Sequence, residues 1–163
     1  IGKVTISPRI GWAYYGKPTF YGSGVSGSGV SHSGMNLQVN FDFGGTGSVF
    51  EVAPYYTYHA TVGSAMHSMG VYLGWAYRME FLGGKLYPSI GIGEKIGYLA
   101  AKGSDFGLEM STRIPIGVTY YIMKDLGLVF ELGFGYAALL MKGNSFFASN
   151  GFYTDGGIGI RWP

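Results

Sequence analysis

The chain has 163 residues, of which 12% are charged, and its formal net charge is +2. This charged fraction is about half the ~25% usual for soluble domains, whereas 17% of the residues are aromatic and 30 are glycine. The absence of cysteine excludes disulfides and thiolate chemistry, and the absence of a basic patch with interleaved aromatic residues argues against nucleic acid as a partner.

Apolar and polar residues alternate in eight stretches of the chain, which is the pattern of β-strands with two unlike faces. No signal peptide is visible at Ile1, so we expect a mature chain that opens on a strand. The clearest alternation is MNLQVNFDF at 35–43. The sequence has neither a 3.6-residue apolar period nor an apolar run of ~20 residues, so no helix is predicted. The eight predicted strands span 4–15, 35–43, 49–62, 69–82, 85–99, 108–122, 126–141 and 152–162.

The connections between the predicted strands alternate in length. Those at 44–48, 83–84 and 124–125 are short, and those at 16–34, 63–68, 100–107 and 142–151 are longer. Short turns at one end and long loops at the other are typical of an up-and-down transmembrane β-barrel. The sequence therefore predicts an all-β, eight-stranded antiparallel barrel as one domain, 1–163. The longest loop is rich in glycine and serine, which favours mobility.

The polar face of the strands carries charges of both signs together with many glycines. Glycine suits a crowded small-barrel interior better than an exposed strand surface, so this face is predicted to turn inward. The predicted lumen charge network comprises Arg9, Asp42, Glu51, Arg78, Glu80, Lys95, Glu109, Arg113, Glu131, Asp155 and Arg161.

The apolar face is graded, with aromatic residues at both ends and mostly Leu, Ile, Val and Met between them. Two aromatic girdles around an aliphatic belt are the expected surface of a barrel in lipid. The predicted outer girdle comprises Trp12, Tyr14, Tyr58, Tyr98 and Tyr136. The predicted inner girdle comprises Phe41, Phe43, Phe50, Phe81, Tyr120 and Trp162.

On this pattern the chain resembles the small eight-stranded bacterial outer-membrane barrels, the OmpA-, OmpX- and OmpW-like group. The ending GIGIRW is similar to the C-terminal assembly signal of that family, which carries over to Ile158, Ile160 and Trp162. The resemblance implies a bacterial outer-membrane location with both termini periplasmic. It also implies contact of the C-terminal strand with the barrel-assembly machinery, and of the outer surface with membrane lipids and lipopolysaccharide.

Two features do not fit the regular pattern. Pro8, Pro54, Pro88 and Pro115 fall inside predicted strands, where each removes a donor from the ladder, so we expect bulges or a local loss of hydrogen bonds near them. Glu94 falls on the lipid face by strict alternation. Either a bulge around Gly91–Gly93 or an outer-rim position accounts for it, or it is a protonated or paired functional acid; the first interpretation is favoured.

Three histidines, His32, His59 and His67, fall toward the long-loop end, with Ser31, Ser33, Ser64, Ser68 and Asp105 as neighbours. A Ser-His-acid set there would resemble an outer-membrane enzyme that modifies lipid A. No fixed spacing singles out a nucleophile, and no carboxylate pattern accompanies the histidines, so we expect no enzyme, no metal and no cofactor.

The inward charges allow a structural or a transport interpretation. In the structural interpretation, charges of both signs in near-equal numbers pair and close the lumen, since an eight-stranded barrel leaves little room. The predicted pairing joins three arginines to four acids: Arg9, Arg78 and Arg113 to Glu51, Glu80, Glu109 and Glu131. The leading functional prediction is a structural or surface-interaction barrel, which contacts other envelope proteins through its long outer loops. A narrow channel for small or apolar solutes is the first alternative, and a lipid A-modifying enzyme is the second.

Overall fold

The structure is a computed structural model that describes residues 4–16, 19–22, 25–28, 32–61, 64–101, 104–143 and 146–162. In these ranges there is no helix long and apolar enough to cross a bilayer. The strands are β1 (Val4–Tyr15), β2 (Thr19–Gly22), β3 (Val25–Ser28), β4 (His32–Phe43), β5 (Gly47–Thr61), β6 (Ser64–Arg78), β7 (Leu86–Ala101), β8 (Ser104–Met123), β9 (Leu126–Gly143) and β10 (Phe146–Arg161).

Eight of these strands form a closed antiparallel barrel in chain order, and β1 pairs with both β4 and β10. The predicted eight-stranded up-and-down barrel is therefore confirmed. We call the end that holds Val4 and Arg161 the terminal end, and the opposite end the distal end. The two short strands β2 and β3 form a hairpin at the distal end, where β2 pairs with β10.

The distal connections differ from the prediction. The segment 16–34 is predicted as a single long loop, but it contains the hairpin β2–β3. The strands β6, β8 and β10 begin at Ser64, Ser104 and Phe146, so most of the predicted loops are paired strand. The reason is that backbone pairing with the preceding strand continues to the connection itself, as in the pair Thr61–Ser64.

At the terminal end, β6 stops at Arg78 instead of continuing to residue 82. Leu82 has a φ of 53°, and Gly83 and Gly84 follow with 62° and 83°. These three successive residues have positive φ angles and reverse the direction of the chain. Glycine adopts a positive φ without steric strain.

The prediction for the prolines is confirmed in its second form: the described pairs show no bulge at a proline, but the ladders lose pairs beside Pro8, Pro54 and Pro115. In β8–β9 the register shifts lie elsewhere, between Ser104 and Phe106 and between Tyr121 and Met123. The prolines keep the regular pairs Pro8–Val39, Pro54–Val71, Pro88–Val118 and Pro115–Gly133.

The stagger between neighbouring strands fixes their tilt relative to the barrel axis. One row of paired residues runs around the wall through Ile6, Phe41, Val52, Leu73, Glu94, Thr112, Tyr136 and Phe152. Ile6 itself bridges Trp162, so the row returns to β10 displaced by 162 − 152 = 10 residues. A shear of this size in eight strands corresponds to a tilt of about 40°. The row therefore climbs about 25 Å from the terminal toward the distal end.

The two faces of the wall differ in chemistry as the alternation predicts. In β4 the side chains of Asn36, Gln38, Asn40 and Asp42 are buried inside the barrel. The apolar residues between them point outward, and Met35 remains 46% exposed. In the described strands the outward surface is mainly apolar, whereas the interior holds most of the polar and charged side chains.

Candidate functional site

Ten of the eleven charged residues predicted for the lumen are buried inside the barrel. They are Arg9, Asp42, Glu51, Arg78, Lys95, Glu109, Arg113, Glu131, Asp155 and Arg161. The remaining residue, Glu80, follows the end of β6 and lies exposed at the terminal mouth. The buried set holds five cations and five carboxylates.

The centre of the lumen is crossed by a connected set of ion pairs. Arg113 lies between two acids, with Nη2 2.7 Å from Asp155 Oδ1 and 2.8 Å from Glu131 Oε1. Glu131 also contacts Arg9 at 2.6 Å, and Asp155 contacts Lys95 at 2.7 Å. Each acid therefore shares two cations contributed by different strands, and the network joins distant parts of the wall across the interior.

A second group of ion pairs lies nearer the terminal end. Asp42 accepts from Arg78 at 2.9 Å and also pairs with Arg161. Arg161 donates to the hydroxyls of Thr5 and Thr119, at 3.1 Å from Nη2 and Nη1 respectively. Beyond this group a cavity of about 240 Å³ opens at the terminal mouth.

Glu109 has a different environment from the other buried acids. It accepts hydrogen bonds from the hydroxyls of Tyr15 and Tyr55. The expectation that arginines pair with Glu109 and Glu80 is wrong. Glu109 lies toward the distal end among inward tyrosines. Glu80 lies outside the buried charge network, at the terminal mouth.

Tyrosines that point inward take part in the charge network. Tyr153 accepts a hydrogen bond of 2.5 Å from Lys95 Nζ and donates one to Asp155. Tyr72 packs its ring beneath the Arg113 guanidinium, 5.5 Å from the ring centroid. The signal was their position, because they occupy the same alternate positions as the buried charges.

The three histidines do not form one site. His59 is buried inside the wall, with Nε2 3.3 Å from Ser68 Oγ, and His32 stacks on Tyr15 at 4.8 Å. His67 points outward, with Nδ1 2.6 Å from the Tyr56 hydroxyl. The wall therefore separates His67 from the other two.

Among the residues that the structure describes, the candidate serines and acid add no catalytic set. Ser31 lies outside the described residues, as do the side chains of Ser64 and Asp105, and Ser33 is exposed on the outward face. No described group hydrogen-bonds Nδ1 of His59, whereas a catalytic base needs a third group to orient it. In the described ranges, no group of three or more His, Asp and Glu could hold a metal ion.

The residues predicted for the two girdles all point outward. The outer set lies toward the distal end: Trp12, Tyr14, Tyr58, Tyr98 and Tyr136, each at least 38% exposed. The inner set lies toward the terminal end: Phe41, Phe43, Phe50, Phe81, Tyr120 and Trp162. Phe43 and Phe50 are a cross-strand pair with ring centroids 6.4 Å apart.

Glu94 keeps its outward position, so the expected bulge is wrong. Gly93 pairs with Gly74 and with Arg113 in the same register as the rest of β7. The Glu94 side chain is exposed on the outer face, where Thr112 Oγ1 donates to its Oε1 at 2.7 Å. Glu94 is therefore a paired outward acid in the middle of a strand.

Solved structures of outer-membrane barrels share this architecture. The structure of Neisserial surface protein A is similar over 96% of both chains, with a TM-score of 0.54 and 13% identity. The outer-membrane protein OprG from Pseudomonas aeruginosa is similar over 97% of this chain and 94% of its own, with a TM-score of 0.64 and 11% identity. Ail of Yersinia pestis, solved in complex with the heparin analogue sucrose octasulfate, is similar over 98% of this chain and 99% of its own, with 13% identity. Its TM-score of 0.39 is too low to support an argument.

No protein-family model matches the chain, and no curated protein matches it either. At 11–13% identity the structural likeness establishes the fold alone. The chain has the fold of the small eight-stranded outer-membrane β-barrels.

Proposed function

We propose that the chain is an integral barrel of a bacterial outer membrane with both termini in the periplasm. Its role is structural or one of surface interaction, and the distal end meets the partner. The observation that carries this proposal is the connected ion-pair network in the lumen. Because this network occupies the interior, the surfaces open to other molecules are the ends of the barrel and the outer wall.

The outward surface supports the membrane location. Ile10, Ile92 and Ile116 are each about half exposed, at 51%, 53% and 48%. A continuous apolar surface of this extent would promote aggregation in water, whereas hydrocarbon solvates it. The even strand number then places both chain ends on one side, which is the periplasmic side in bacterial barrels with short turns there.

The distal end supports the interaction role. The hairpin β2–β3 continues the sheet of β10 beyond the closed part of the wall. This projection extends the backbone of the sheet away from the lumen, where a protein of the same envelope or of another cell can reach it. Loops and projections on a rigid scaffold are where binding residues are concentrated in general.

Cross-linking in living cells tests the interaction role. A photo-reactive amino acid at Thr19, exposed on β2, is expected to give a discrete adduct, whereas the same group at Asp125, exposed in a terminal turn, is expected to give none. An adduct at Asp125 alone would place the partner on the periplasmic side and contradict the surface role.

A narrow channel is the second candidate, and the cavity of about 240 Å³ at the terminal mouth favours it. The ion pairs of Arg113 lie between that cavity and the distal end. Planar-bilayer recordings separate the two candidates. We expect no conductance steps from the unmodified chain, and regular steps would establish the channel instead.

A lipid A-modifying enzyme is the weakest of the three proposals. His59 and Ser68 face each other inside the barrel, whereas acyl chains lie outside it. His67 faces outward but contacts tyrosines rather than a serine.

A further inference from the structure

The polar pair Glu94–Thr112 lies well inside the apolar belt of the outer wall. In the row described above, Glu94 is four steps from Ile6 and three from Phe152. Trp162 of the inner girdle bridges Ile6 and lies one step below it, and the row climbs evenly with strand tilt. Glu94 therefore stands about 16 Å above the level of Trp162 and about 9 Å below that of Phe152, in a hydrocarbon belt ~25 Å tall.

Lipid alone leaves this carboxyl group incompletely paired. Thr112 satisfies only Oε1, and the other outward neighbours are apolar: Leu73, Ile92, Ile96 and Ile114. Hydrocarbon offers no donor or acceptor for the second oxygen, and an acidic side chain on the lipid face is destabilising near the midplane. A partner that supplies a hydrogen-bonding group at this depth removes that penalty.

We propose that the outer face of β7 and β8 around Glu94 is the contact between two copies of this chain, related by a twofold axis along the membrane normal. Such an axis brings every residue to the depth of its own counterpart. A carboxyl group in its neutral form is both donor and acceptor, so two Glu94 groups at the same depth satisfy each other. An arginine or lysine at this position would repel its copy instead.

The geometry of the wall suits a contact centred on one residue. Strands tilted by about 40° cross at about 80° when two such barrels face each other, so the closest approach is a single small area. The branched side chains of Leu73, Ile92 and Ile114 surround Glu94 and are 44%, 53% and 46% exposed in the single chain. They provide an apolar rim around the central hydrogen bonds.

Single cysteines test this contact cleanly, because the chain has none of its own. Ile92→Cys lies two residues from Glu94 on the same face of β7. Ile10→Cys is the matched control, because β1 lies four strands away in a ring of eight, on the opposite wall. In lipid vesicles containing only this protein, mild oxidation is expected to give a covalent dimer with Ile92→Cys and little with Ile10→Cys.

Substitution of Glu94 tests whether its carboxyl group causes the dimer to form. Glu94→Leu in the Ile92→Cys background is expected to weaken dimer formation about tenfold, which corresponds to ~1.4 kcal/mol. Glu94→Gln retains a donor and an acceptor and is expected to keep most of the dimer. Equal cross-linking at both cysteines, an unchanged dimer in Glu94→Leu, or an equal loss in Glu94→Gln and Glu94→Leu would overturn the proposal.

The proposal depends on the membrane location proposed above, and the same vesicles distinguish the two. Quenching of Trp12 fluorescence by brominated acyl chains reports insertion independently of association. A quenched but monomeric protein refutes the dimer and leaves the membrane location intact. A protein that is not quenched refutes the membrane location itself.

Discussion

Replacing Arg113 by methionine is expected to lower the free energy of unfolding by about 3–5 kcal/mol. Arg113 is 3% exposed and holds Asp155 through Nε and Nη2, and Glu131 through Nη2. Removing one partner of a buried ion pair costs about 3–5 kcal/mol because the remaining charge stays desolvated. Both acids keep one other cation, Lys95 or Arg9, so we expect the lower half of this range.

Urea titration of the protein in lipid vesicles, followed by tryptophan fluorescence, measures the effect. The three tryptophans, Trp12, Trp75 and Trp162, all lie on the outward face and therefore report release from lipid. Lys85→Met is the matched control, because it removes a cation from an exposed turn and should change stability by less than ~0.5 kcal/mol.

A double-mutant cycle separates the ion pair from a packing effect. Arg113→Met leaves four buried cations against five carboxylates, and adding Asp155→Leu restores four against four. We expect the double variant to be more stable than the sum of the single effects predicts, by at least ~2 kcal/mol. A loss below ~1 kcal/mol in Arg113→Met, or strict additivity, would refute the view that these charges close a dry lumen.

Six further substitutions test the wall, the distal lumen and the histidines. Gly11→Ala should destabilise by about 1–3 kcal/mol, since its Cβ would lie 1.8 Å from a carbonyl oxygen of β10. Gly45→Ala, where a Cβ meets nothing within 4 Å, should be neutral in the same urea titration. Glu109→Leu should cost about 2–4 kcal/mol because two tyrosine hydroxyls lose their acceptor, whereas Glu109→Gln should cost about 1 kcal/mol; equal losses would contradict this assignment. His59→Ala and His67→Ala should leave the mass spectrum of lipid A unchanged, and a shifted mass in either strain would revive the enzyme hypothesis.

The barrel could be predicted from the sequence because its two faces meet unlike surroundings. The alternation from Met35 to Phe43 specifies strand, register parity and the polar interior together, since a slip of one residue would exchange the faces. The same parity indicates which charges turn inward, including Arg113 and Asp155. Pairing between strands far apart in sequence is not encoded locally, so the partners of each acid could not be predicted.

The distal end shows where alternation becomes uninformative. Small residues such as Gly27 and Ser28 have no strong preference for either face, so β3 is invisible in the sequence pattern. Its pairing with β2 supplies the backbone hydrogen bonds that the side chains do not predict. Glu94 illustrates the opposite case. The alternation correctly predicts that its side chain faces outward, whereas the cost of a carboxyl group in hydrocarbon favours a bulge that the structure does not contain.

The seam between β1 and β10 constrains how such a chain enters hydrocarbon. Ile6 and Trp162 exchange two backbone hydrogen bonds of 2.9 Å, although 162 − 6 = 156 positions separate them. Until these bonds form, both edges of the sheet hold amide and carbonyl groups that hydrocarbon cannot satisfy. The strands therefore cannot cross one at a time, and insertion and ring closure become a single cooperative event.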